Sequence, residues 1–399
     1  MPDAMEILLH LLLFILLTPA LLGCAYLLTL TLLSQALPAP VAKRRDIRFD
    51  ILIPAHNEAQ VIARTLASLQ KLDWPGTHFR IIVIADNCSD ETAQIARATG
   101  VTVIERRHDT LRGKGHALEY GIAHSSATGQ ADAVVVIDAD TEVSANLLSC
   151  YAARLEQGAQ AIQAHYGVLN PDDTWRTRLI TIAYSAFHAV RSRARERLGV
   201  SCGLRGNGMC FTHDMLRQHP PQVYSLAEDV EYGILLGLNG IRVHYADEAQ
   251  VLAELPTSRQ GADSQRQRWE KGRFLVMRSY TGRLLTQAWR QRSAVCLDLA
   301  MDLLTLPLGY LALDIVIVAL LTLPLLLVSG TTAIWLLICA LLAAILSLHI
   351  FRGWQLCPLG PRVLLELLRA PFFIAWKILA LLRNRKNTTW VRTERNKDK

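Results

Sequence analysis

The chain has 399 residues with a formal net charge of +7, and 51% of its residues are hydrophobic. A mean hydropathy of +0.22 is too high for an ordinary soluble protein, and the length exceeds that of one small domain. The eight cysteines are scattered without a C-x-x-C pair, so the sequence predicts neither a zinc site nor a disulfide framework.

The first predicted element is an apolar segment at residues 5–37, whose only acidic or basic side chains are Glu6 and His10. A helix of this length can cross a hydrocarbon layer about 30 Å thick with some tilt. The segment is longer than the apolar part of a cleaved signal peptide, and no basic residue precedes it. We therefore expect an uncleaved transmembrane anchor.

The middle of the chain, residues 46–283, alternates short apolar runs with amphipathic stretches. This alternation predicts an α/β domain in which a mostly parallel sheet is covered by helices on both faces. The predicted strands are residues 49–53, 80–85, 101–105 and 133–137, and the helices between them are residues 59–70, 90–99 and 114–125.

Acidic side chains follow three of these strands: Glu58 follows the first, Asp86 and Asp90 the second, and Asp138 and Asp140 the fourth. Any one of these groups alone could be a capped turn. Parallel sheets, however, bind ligands beyond the C-terminal ends of their strands, where all three groups would meet. On an extended backbone every second side chain points to the same side, so Asp138 and Asp140 can both face one Mg²⁺ or Mn²⁺ ion. Such an ion would also need phosphate oxygens to complete its coordination. The sequence therefore predicts a nucleotide-diphosphate site.

A lysine opens the third predicted helix of this region. Lys114 lies between Gly113 and Gly115, and the helix start offers a diphosphate backbone N–H groups, a positive dipole end and an ammonium group. The spacing is not that of a Walker loop, because no Ser or Thr follows the lysine.

Two further motifs lie downstream. Glu228 and Asp229 stand at the start of a predicted helix, where acids are commonly partners of the helix dipole. Gln265, Arg268 and Trp269 share one face of another predicted helix. This face fits either a polar binding surface or simple anchoring at a membrane.

Two more apolar segments within residues 308–350 predict a pair of transmembrane helices. Residues 284–305 and 361–383 mix apolar and charged side chains and predict interfacial helices, and a basic tail follows at 384–399. The positive-inside rule places residues 46–283 in the cytoplasm of a plasma or inner membrane protein. The basic excess therefore predicts contact with membrane lipids and not with nucleic acid.

Together these motifs resemble a membrane-integrated family 2 glycosyltransferase of the cellulose, chitin and hyaluronan synthase type. The resemblance covers about residues 49–273 and the layout of apolar segments on both sides. The matching motifs are IPAHNE at 53–58, DNCSD at 86–90, GKGHAL at 113–118, DAD at 138–140, GNG at 206–208, ED at 228–229 and QRQRW at 265–269.

The resemblance implies a GT-A fold and an inverting transfer from a nucleotide sugar, most often UDP-linked, to a glycan or lipid-linked acceptor. By position, Glu58, Asp86 and Asp90 would hold the nucleoside. Lys114 would contact the phosphate or sugar of the donor, and Asp138 would also contact the donor.

The same resemblance implies the remaining roles. Asp140 would coordinate the Mg²⁺ or Mn²⁺ ion that bridges the diphosphate, and Asp229 would be the general base that deprotonates the acceptor. Gln265, Arg268 and Trp269 would hold the pyrophosphate and form part of the acceptor site.

Several functions remain open at this point. A role in polysaccharide or oligosaccharide assembly, which the Q-x-x-R-W motif favours, competes with transfer of one sugar to a lipid or lipid-linked glycan, which the small number of predicted spans favours. A nucleotidyltransferase also uses a parallel sheet, carboxylates and Mg²⁺, and a non-catalytic membrane scaffold is a third class.

Overall fold

Eight strands in the middle of the chain form one mixed sheet in the computed structural model, which describes residues 4–255, 259–326 and 330–369. The side chains of residues 259–268 and 331 lie outside this description. The strands are β1 (Phe49–Ala55), β2 (Phe79–Asp86), β3 (Thr102–Arg106), β4 (Ala133–Val136), β5 (Thr141–Val143), β6 (Ala161–Val168), β7 (Met209–Thr212) and β8 (Val243–Ala253).

Helices lie between the strands and at both ends of the described chain. A π-helical turn, Ser185–Val190, joins α6 to α7, and a 3-10 helix, Pro361–Arg369, follows α13. The α-helices are α1 (Ala4–Leu32), α2 (Ile62–Leu69), α3 (Thr92–Ala98), α4 (Lys114–Thr128), α5 (Leu147–Leu155), α6 (Trp175–Tyr184), α7 (Arg191–Arg197), α8 (His213–Gln218), α9 (Glu228–Leu238), α10 (Arg259–Gln291), α11 (Ala294–Leu304), α12 (Leu308–Leu325) and α13 (Ala333–Gln355).

The four predicted strands are β1 to β4, and they form the parallel half of the sheet. Phe49 of β1 pairs with Phe79 of β2 and with Ala133 of β4, and β3 pairs in parallel with β2. The full order is β3-β2-β1-β4-β7-β6-β8-β5, with antiparallel pairs at β4–β7, β6–β7 and β5–β8. The predicted α/β class is confirmed, and the loops after β1, β2 and β4 leave the sheet at one edge.

Both faces of the parallel half are buried, which explains its nearly continuous apolar sequence. Ile51 and Ile53 of β1 pack in one core with Leu66 of α2, whereas Leu52 packs in the opposite core with Ala117 of α4. Successive strand residues thus point to opposite faces, as the period of two requires. Each buried Ile or Leu side chain stabilises the fold by roughly 1.5–3 kcal/mol.

Three helices, α1, α12 and α13, are long and apolar enough to cross a membrane. They pack on one another through a shared apolar core that includes Leu17 of α1, Leu311 of α12 and Leu342 of α13. A methyl group on Gly23 would lie 2.9 Å from Leu311 Cδ2, so the glycine permits close contact between α1 and α12.

The segments predicted as interfacial have varied structures. Residues 284–305 comprise the end of α10 and all of α11, separated at Arg292, whose φ is 51°. Ser293 then caps α11 by accepting a hydrogen bond from the Cys296 N–H over 3.2 Å. The segment 361–383 is described only through Arg369, and the tail 384–399 lies outside the described residues.

A buried polar junction joins α1 to α7 and α11. Arg195 Nη2 donates to the Tyr26 hydroxyl over 2.8 Å, and that hydroxyl donates to Asp298 Oδ1 over 2.8 Å. Arg195 also pairs with both acids, since its Nε lies 3.1 Å from Asp298 Oδ2 and its Nη2 lies 3.1 Å from Asp302 Oδ1. Because Arg195 is fully buried, these groups replace the water that would otherwise solvate its charge.

Two further arginines surround Asp302. Arg191 Nη1 lies 3.1 Å from Asp302 Oδ1, and Arg273 of α10 donates to the Asp302 carbonyl oxygen. Burial alone would raise the pKa of the Asp302 carboxyl, but the charges of Arg195, Arg273 and Arg191 hold that pKa well below its usual value. For Asp298, burial is the largest influence and raises the pKa. The junction therefore ties the apolar helix α1 to α7, α10 and α11.

Replacing Arg195 by methionine is expected to destabilise the protein by about 3–5 kcal/mol, because two buried carboxylates lose their shared partner. Thermal unfolding of the detergent-solubilised protein measures this effect. The expected fall in melting temperature is roughly 5 °C for a chain of this length.

Arg97→Met is the matched control, because the pair between Arg97 and Glu105 is exposed to solvent. Exposed pairs contribute little to stability, so this variant should melt close to the unchanged protein. Equal melting temperatures for the two variants would contradict the importance of the junction.

Candidate active site

The loops after β1 and β2 are joined by hydrogen bonds to one another. His56 Nδ1 lies 2.7 Å from the Asp86 carbonyl oxygen, which can only accept, so this ring nitrogen carries the proton. The Ser89 N–H donates to Asn57 Oδ1 over 2.7 Å. Asn57 and Asn87 have φ values of 56° and 50°, a region that asparagine tolerates better than most residues. Local backbone chemistry thus fixes both loops at the same edge of the sheet.

The predicted nucleoside residues Glu58 and Asp90 lie in these joined loops. The Glu58 N–H donates to Thr92 Oγ1 over 2.8 Å. Asp90 accepts from the Ala59 N–H over 3.2 Å through one carboxylate oxygen and from the Thr92 N–H over 3.0 Å through the other. Asp90 therefore stabilises the backbone of both loops in this structure.

Asp86, at the end of β2, is buried and paired with an arginine that the sequence analysis missed. Arg106 Nη1 lies 2.7 Å from Asp86 Oδ1, and Asn87 Nδ2 donates to the same oxygen over 3.0 Å. Arg106 ends β3, and β3 pairs in register with β2, so Asp86 and Arg106 are direct neighbours. Arg106 directly follows the predicted strand at residues 101–105, and this position was the sequence signal that could have identified it.

Lys114 and Asp138 meet at the start of α4. The Lys114 ammonium donates to Asp138 Oδ1 and, over 2.6 Å, to the Gly206 carbonyl oxygen. Burial lowers the pKa of Lys114, but the charges of Asp138, Glu228 and Asp229 outweigh this effect and raise it above its usual value. Lys114 is therefore a cation that links the end of β4 to the loop before β7.

Asn207 holds the backbone around Asp138, a role that sequence reasoning did not assign. Its Oδ1 accepts from the Asp138 N–H over 3.0 Å, and its Nδ2 donates to Thr141 Oγ1 over 2.8 Å. Gln163 Nε2 donates to the Asn207 carbonyl oxygen over 2.7 Å. The buried amide thereby spans both ends of the Asp138–Asp140 segment, and its place between two glycines of one motif was the only sequence signal.

Asp140 follows Asp138 in the turn after β4, which ends at Val136, so the extended backbone expected for this pair stops before it. Ala139 between them is buried. No group of three or more His, Cys, Asp or Glu side chains that could hold a metal alone occurs within the described residues. The two carboxylates nevertheless suit a hard divalent ion that takes its other ligands from phosphate and water. Their negative charge reaches Tyr166, whose pKa is raised by burial first and then by Tyr184, Asp138 and Asp140.

Asp229, the second residue of α9, lies against the loop that carries Gly206. A methyl group on Gly206 would lie 3.2 Å from Asp229 Oδ2 and 3.7 Å from Lys114 Nζ. Burial and then the charge of Glu228 raise the pKa of Asp229 to about 6, against the lowering influence of Lys114 and Arg205. The carboxylate therefore takes up a proton close to neutral pH, which suits proton transfer.

An aromatic wall adjoins these acids. The rings of Trp269 and Tyr184 are 6.2 Å apart, and His188 contacts both Tyr184 and Tyr166, at 4.9 Å and 5.2 Å. We call Tyr166, Tyr184, His188 and Trp269 the aromatic wall. Of these four residues only Trp269 belongs to a sequence motif, so only Trp269 was predictable.

The helix that carries Trp269 crosses the start of α9. A methyl group on Gly272 of α10 would lie 2.9 Å from Ala227 Cβ, so the two helices are in close contact. Asp229 and Trp269 consequently belong to neighbouring segments. Gln265 and Arg268 lie in α10, but their side chains fall outside the described residues.

Comparison with known proteins places the central region in a family. The model described as "Glycosyltransferase like family 2" matches residues 47–272. The chain is 27% identical over 239 residues to the probable glycosyltransferase YdaM of Bacillus subtilis (strain 168). This alignment covers 58% of the present chain and 56% of YdaM. The chain is 23% identical over 246 residues to glucomannan 4-beta-mannosyltransferase 7 of Arabidopsis thaliana, covering 59% of this chain and 44% of that one. The match spans about half the length of these curated relatives.

A solved structure extends the likeness beyond the sheet domain. The mannosyltransferase PcManGT from Pyrobaculum calidifontis, determined with GDP-Man and Mn²⁺, has a TM-score of 0.52 at 16% identity. The similarity covers 94% of this chain and 100% of that one. The predicted GT-A fold is thus confirmed, together with the presence of apolar helices compatible with membrane association.

Gly206→Ala is expected to reduce sugar transfer at least about tenfold, because the new methyl group displaces the Asp229 carboxylate. Gly240→Ala is the matched control. Both glycines have nearly the same φ, +78° and +77°, but no atom lies within 4 Å of the position of a methyl group on Gly240.

Both substitutions carry a similar backbone cost, about 1–2 kcal/mol. Melting temperature and nucleotide release from a sugar donor should be measured on both variants. A comparable loss of activity in Gly240→Ala would show that backbone strain, and not the contact with Asp229, is responsible.

Proposed function

The chain belongs to glycosyltransferase family 2, and we propose that it inverts the anomeric carbon while transferring a sugar from a UDP-linked donor. The acceptor in this proposal is held at the cytoplasmic face of the membrane. The observation that carries the proposal is the convergence of Lys114, Asp138 and Asp229 on the loop at Gly206. A donor-phosphate cation, a donor carboxylate and a base thereby share one site.

On the donor side, Asp140 would hold a Mg²⁺ or Mn²⁺ ion, with Asp138 beside it. The bound ion would neutralise the charge that develops on the diphosphate as the bond to the sugar breaks. Lys114 stays protonated and adds a second positive charge next to Asp138. Glu58, Asp86 and Asp90 lie in the loops at the same sheet edge, where the nucleoside would bind.

On the acceptor side, Asp229 would accept the proton of the attacking hydroxyl. Inversion requires this hydroxyl to approach the sugar from the face opposite the diphosphate. Asp229 lies against Gly206, whose carbonyl oxygen accepts from the Lys114 ammonium. Trp269 would contact the acceptor, and the rest of the aromatic wall continues this surface. The proposed roles of Gln265 and Arg268 in binding pyrophosphate rest on the motif alone.

The membrane orientation is supported by contacts between helix ends. Arg352, near the end of α13, donates from Nε to Ser34 Oγ over 2.9 Å, just beyond the end of α1. The C-terminal ends of both helices therefore lie on the same side, as three consecutive spans require. Lys43 and Arg362 follow these ends and Arg352 lies in the last turn of α13, and the positive-inside rule assigns all three to the cytoplasm.

Asp229→Asn tests the proposed base. We expect transfer to fall about 10²–10⁴-fold, the usual contribution of a positioned base, whereas donor affinity stays unchanged. Transfer is measured as the release of the nucleoside diphosphate from UDP- and GDP-linked sugars. Donor affinity is measured by calorimetry.

Asp140→Asn is the companion variant, and it should lose metal-dependent donor binding as well as transfer. If Asp229→Asn retained full transfer, the base assignment would be wrong. Release of pyrophosphate instead of a nucleoside diphosphate would contradict sugar transfer itself.

The pH dependence of kcat/KM gives an independent test. Asp229 must be deprotonated to act as a base, so activity should fall as the pH drops through about 6, the pKa of this carboxyl. Because the charge of Glu228 raises that pKa, Glu228→Gln should move the acid limb to lower pH.

Glu231→Gln serves as the control, since Glu231 lies in the same helical turn but accepts a hydrogen bond from the Tyr280 hydroxyl over 2.6 Å. An acid limb that moved equally in both variants, or in neither, would rule out Asp229 as the titrating group.

A further inference from the structure

The three apolar helices are packed against one another with no passage between them in the described part of the chain. Each contacts the other two, and the apolar core between them contains fully or nearly fully buried side chains of α1, α12 and α13. A glycan chain crossing between these helices would leave its hydroxyl groups without hydrogen-bond partners. The side chains that fill this core include Leu13, Leu17, Leu27, Leu311, Val318, Trp335, Leu342 and Leu346.

Two residues of the aromatic wall, Tyr184 and His188, lie on a segment that contacts α13 directly. A methyl group on Gly353 of α13 would lie 2.8 Å from Ala186 Cβ and 3.0 Å from the Ile182 carbonyl oxygen. Tyr184 lies between these two residues, and His188 is only two residues beyond Ala186. Backbone contact with an apolar helix therefore holds one side of the active site at the level of the membrane.

Exposed apolar side chains border this segment on a second element, the 3-10 helix Pro361–Arg369. Its Val363 is buried in a cluster with Ile182, and its Glu366 lies 3.0 Å from Arg178 Nη2 of α6. Its Leu365 and Leu368 are 69% and 75% exposed. This amphipathic arrangement is typical of a segment that lies on a membrane.

A third element, α10, also carries exposed apolar side chains close to the aromatic wall. Phe274 and Leu275 follow Trp269 by little more than one turn and are 58% and 55% exposed. Exposed apolar groups of this size next to transmembrane helices are expected to contact lipid. The aromatic wall is thus flanked by apolar side chains on both neighbouring elements. We call Phe274, Leu275, Leu365 and Leu368 the apolar rim.

We propose that the acceptor is a membrane lipid that carries the reactive hydroxyl on its head group and enters beside α6 across the apolar rim. This inference rests on the proposed function. The acceptor oxygen forms a bond to the anomeric carbon, the bond from that carbon to the diphosphate breaks with its electron pair leaving on the nucleotide, and the hydroxyl proton passes to Asp229. One sugar is added before the lipid leaves, since no passage leads a growing chain away through this bundle.

The test uses the full-length protein in phosphatidylcholine vesicles with a radiolabelled donor. One set of vesicles contains the total lipid extract of the source cells, a second contains none, and a third receives the water-soluble glycan fraction of the same cells. We expect label in an organic-phase product only with the lipid extract, with a mass gain of one sugar.

Each alternative result has a defined meaning. Label in a water-soluble or polymeric product overturns the lipid inference, as does donor hydrolysis without any labelled lipid. A labelled water-soluble or polymeric product still shows sugar transfer, so the proposed function stands in that case. Hydrolysis alone upholds the donor side of the proposed function and overturns its acceptor side. If the donor is neither bound nor consumed, the proposed function itself fails.

Variants of the apolar rim provide a second readout that does not depend on identifying the lipid. Phe274→Ser with Leu275→Ser should raise the apparent KM for the lipid extract at least fivefold, with donor hydrolysis unchanged. Val41→Ser is the control, because Val41 is 83% exposed but lies in the connection between α1 and β1. An apparent KM that rises equally in the rim variant and the control would contradict entry across the rim.

Discussion

The buried pairing of Arg195 with Asp298 and Asp302 is the interaction on which the arrangement of the two parts of the molecule depends. Two arginines, Arg191 and Arg195, and two aspartates are buried here, and the partly buried Arg273 joins them where α1, α7, α10 and α11 meet. A charge in such surroundings is stable only if its partners stay within about hydrogen-bond distance, so the geometry tolerates little displacement. Apolar packing alone would allow α1 to slide or rotate against the sheet domain, because apolar contacts are not directional.

The constraint extends to the active site through α10 and α9. Arg273 of α10 holds Asp302, and one residue earlier Gly272 lies against Ala227 at the start of α9. Asp229 follows two residues later, with its carboxylate against Gly206. The same short path therefore runs from the buried charges to the proposed base. On the opposite side, Asn207 attaches the Asp138–Asp140 segment to the same loop.

The parallel half of the sheet was predictable because its strands are buried on both faces and read as unbroken apolar runs. The acids that follow β1, β2 and β4 were predictable for the same reason, since parallel strands present their C-terminal ends at one edge. The other four strands, of which β6 and β8 also pair in parallel, gave no comparable signal. Strand β5 has three residues and β7 has four, too few for a period of two to be recognised, and β8 contains Asp247 and Glu248.

Contacts between distant segments were not predictable from spacing. Arg195 lies about a hundred residues before Asp298, and the sequence around each is typical of an ordinary amphipathic helix. Asp298 and Asp302 were assigned to an interfacial segment, where charges normally face water. Only the tertiary fold shows that they face inward. Tyr166 and Tyr184 were missed for a similar reason, because aromatic residues in a strand or helix more often indicate core packing.

One structural detail explains how a single helical segment contributes to both the active site and the junction. In an uninterrupted α-helix, residues 184, 188, 191 and 195 would lie on one face, since their spacings are four, three and four. The π-helical turn Ser185–Val190 widens the helix and rotates the residues that follow relative to those before it. Tyr184 and His188 can therefore form part of the aromatic wall while Arg191 and Arg195 face the buried acids. Ala186, within the turn, contacts Gly353 of α13, so the distortion occurs where α13 packs against the segment that carries Tyr184 and His188.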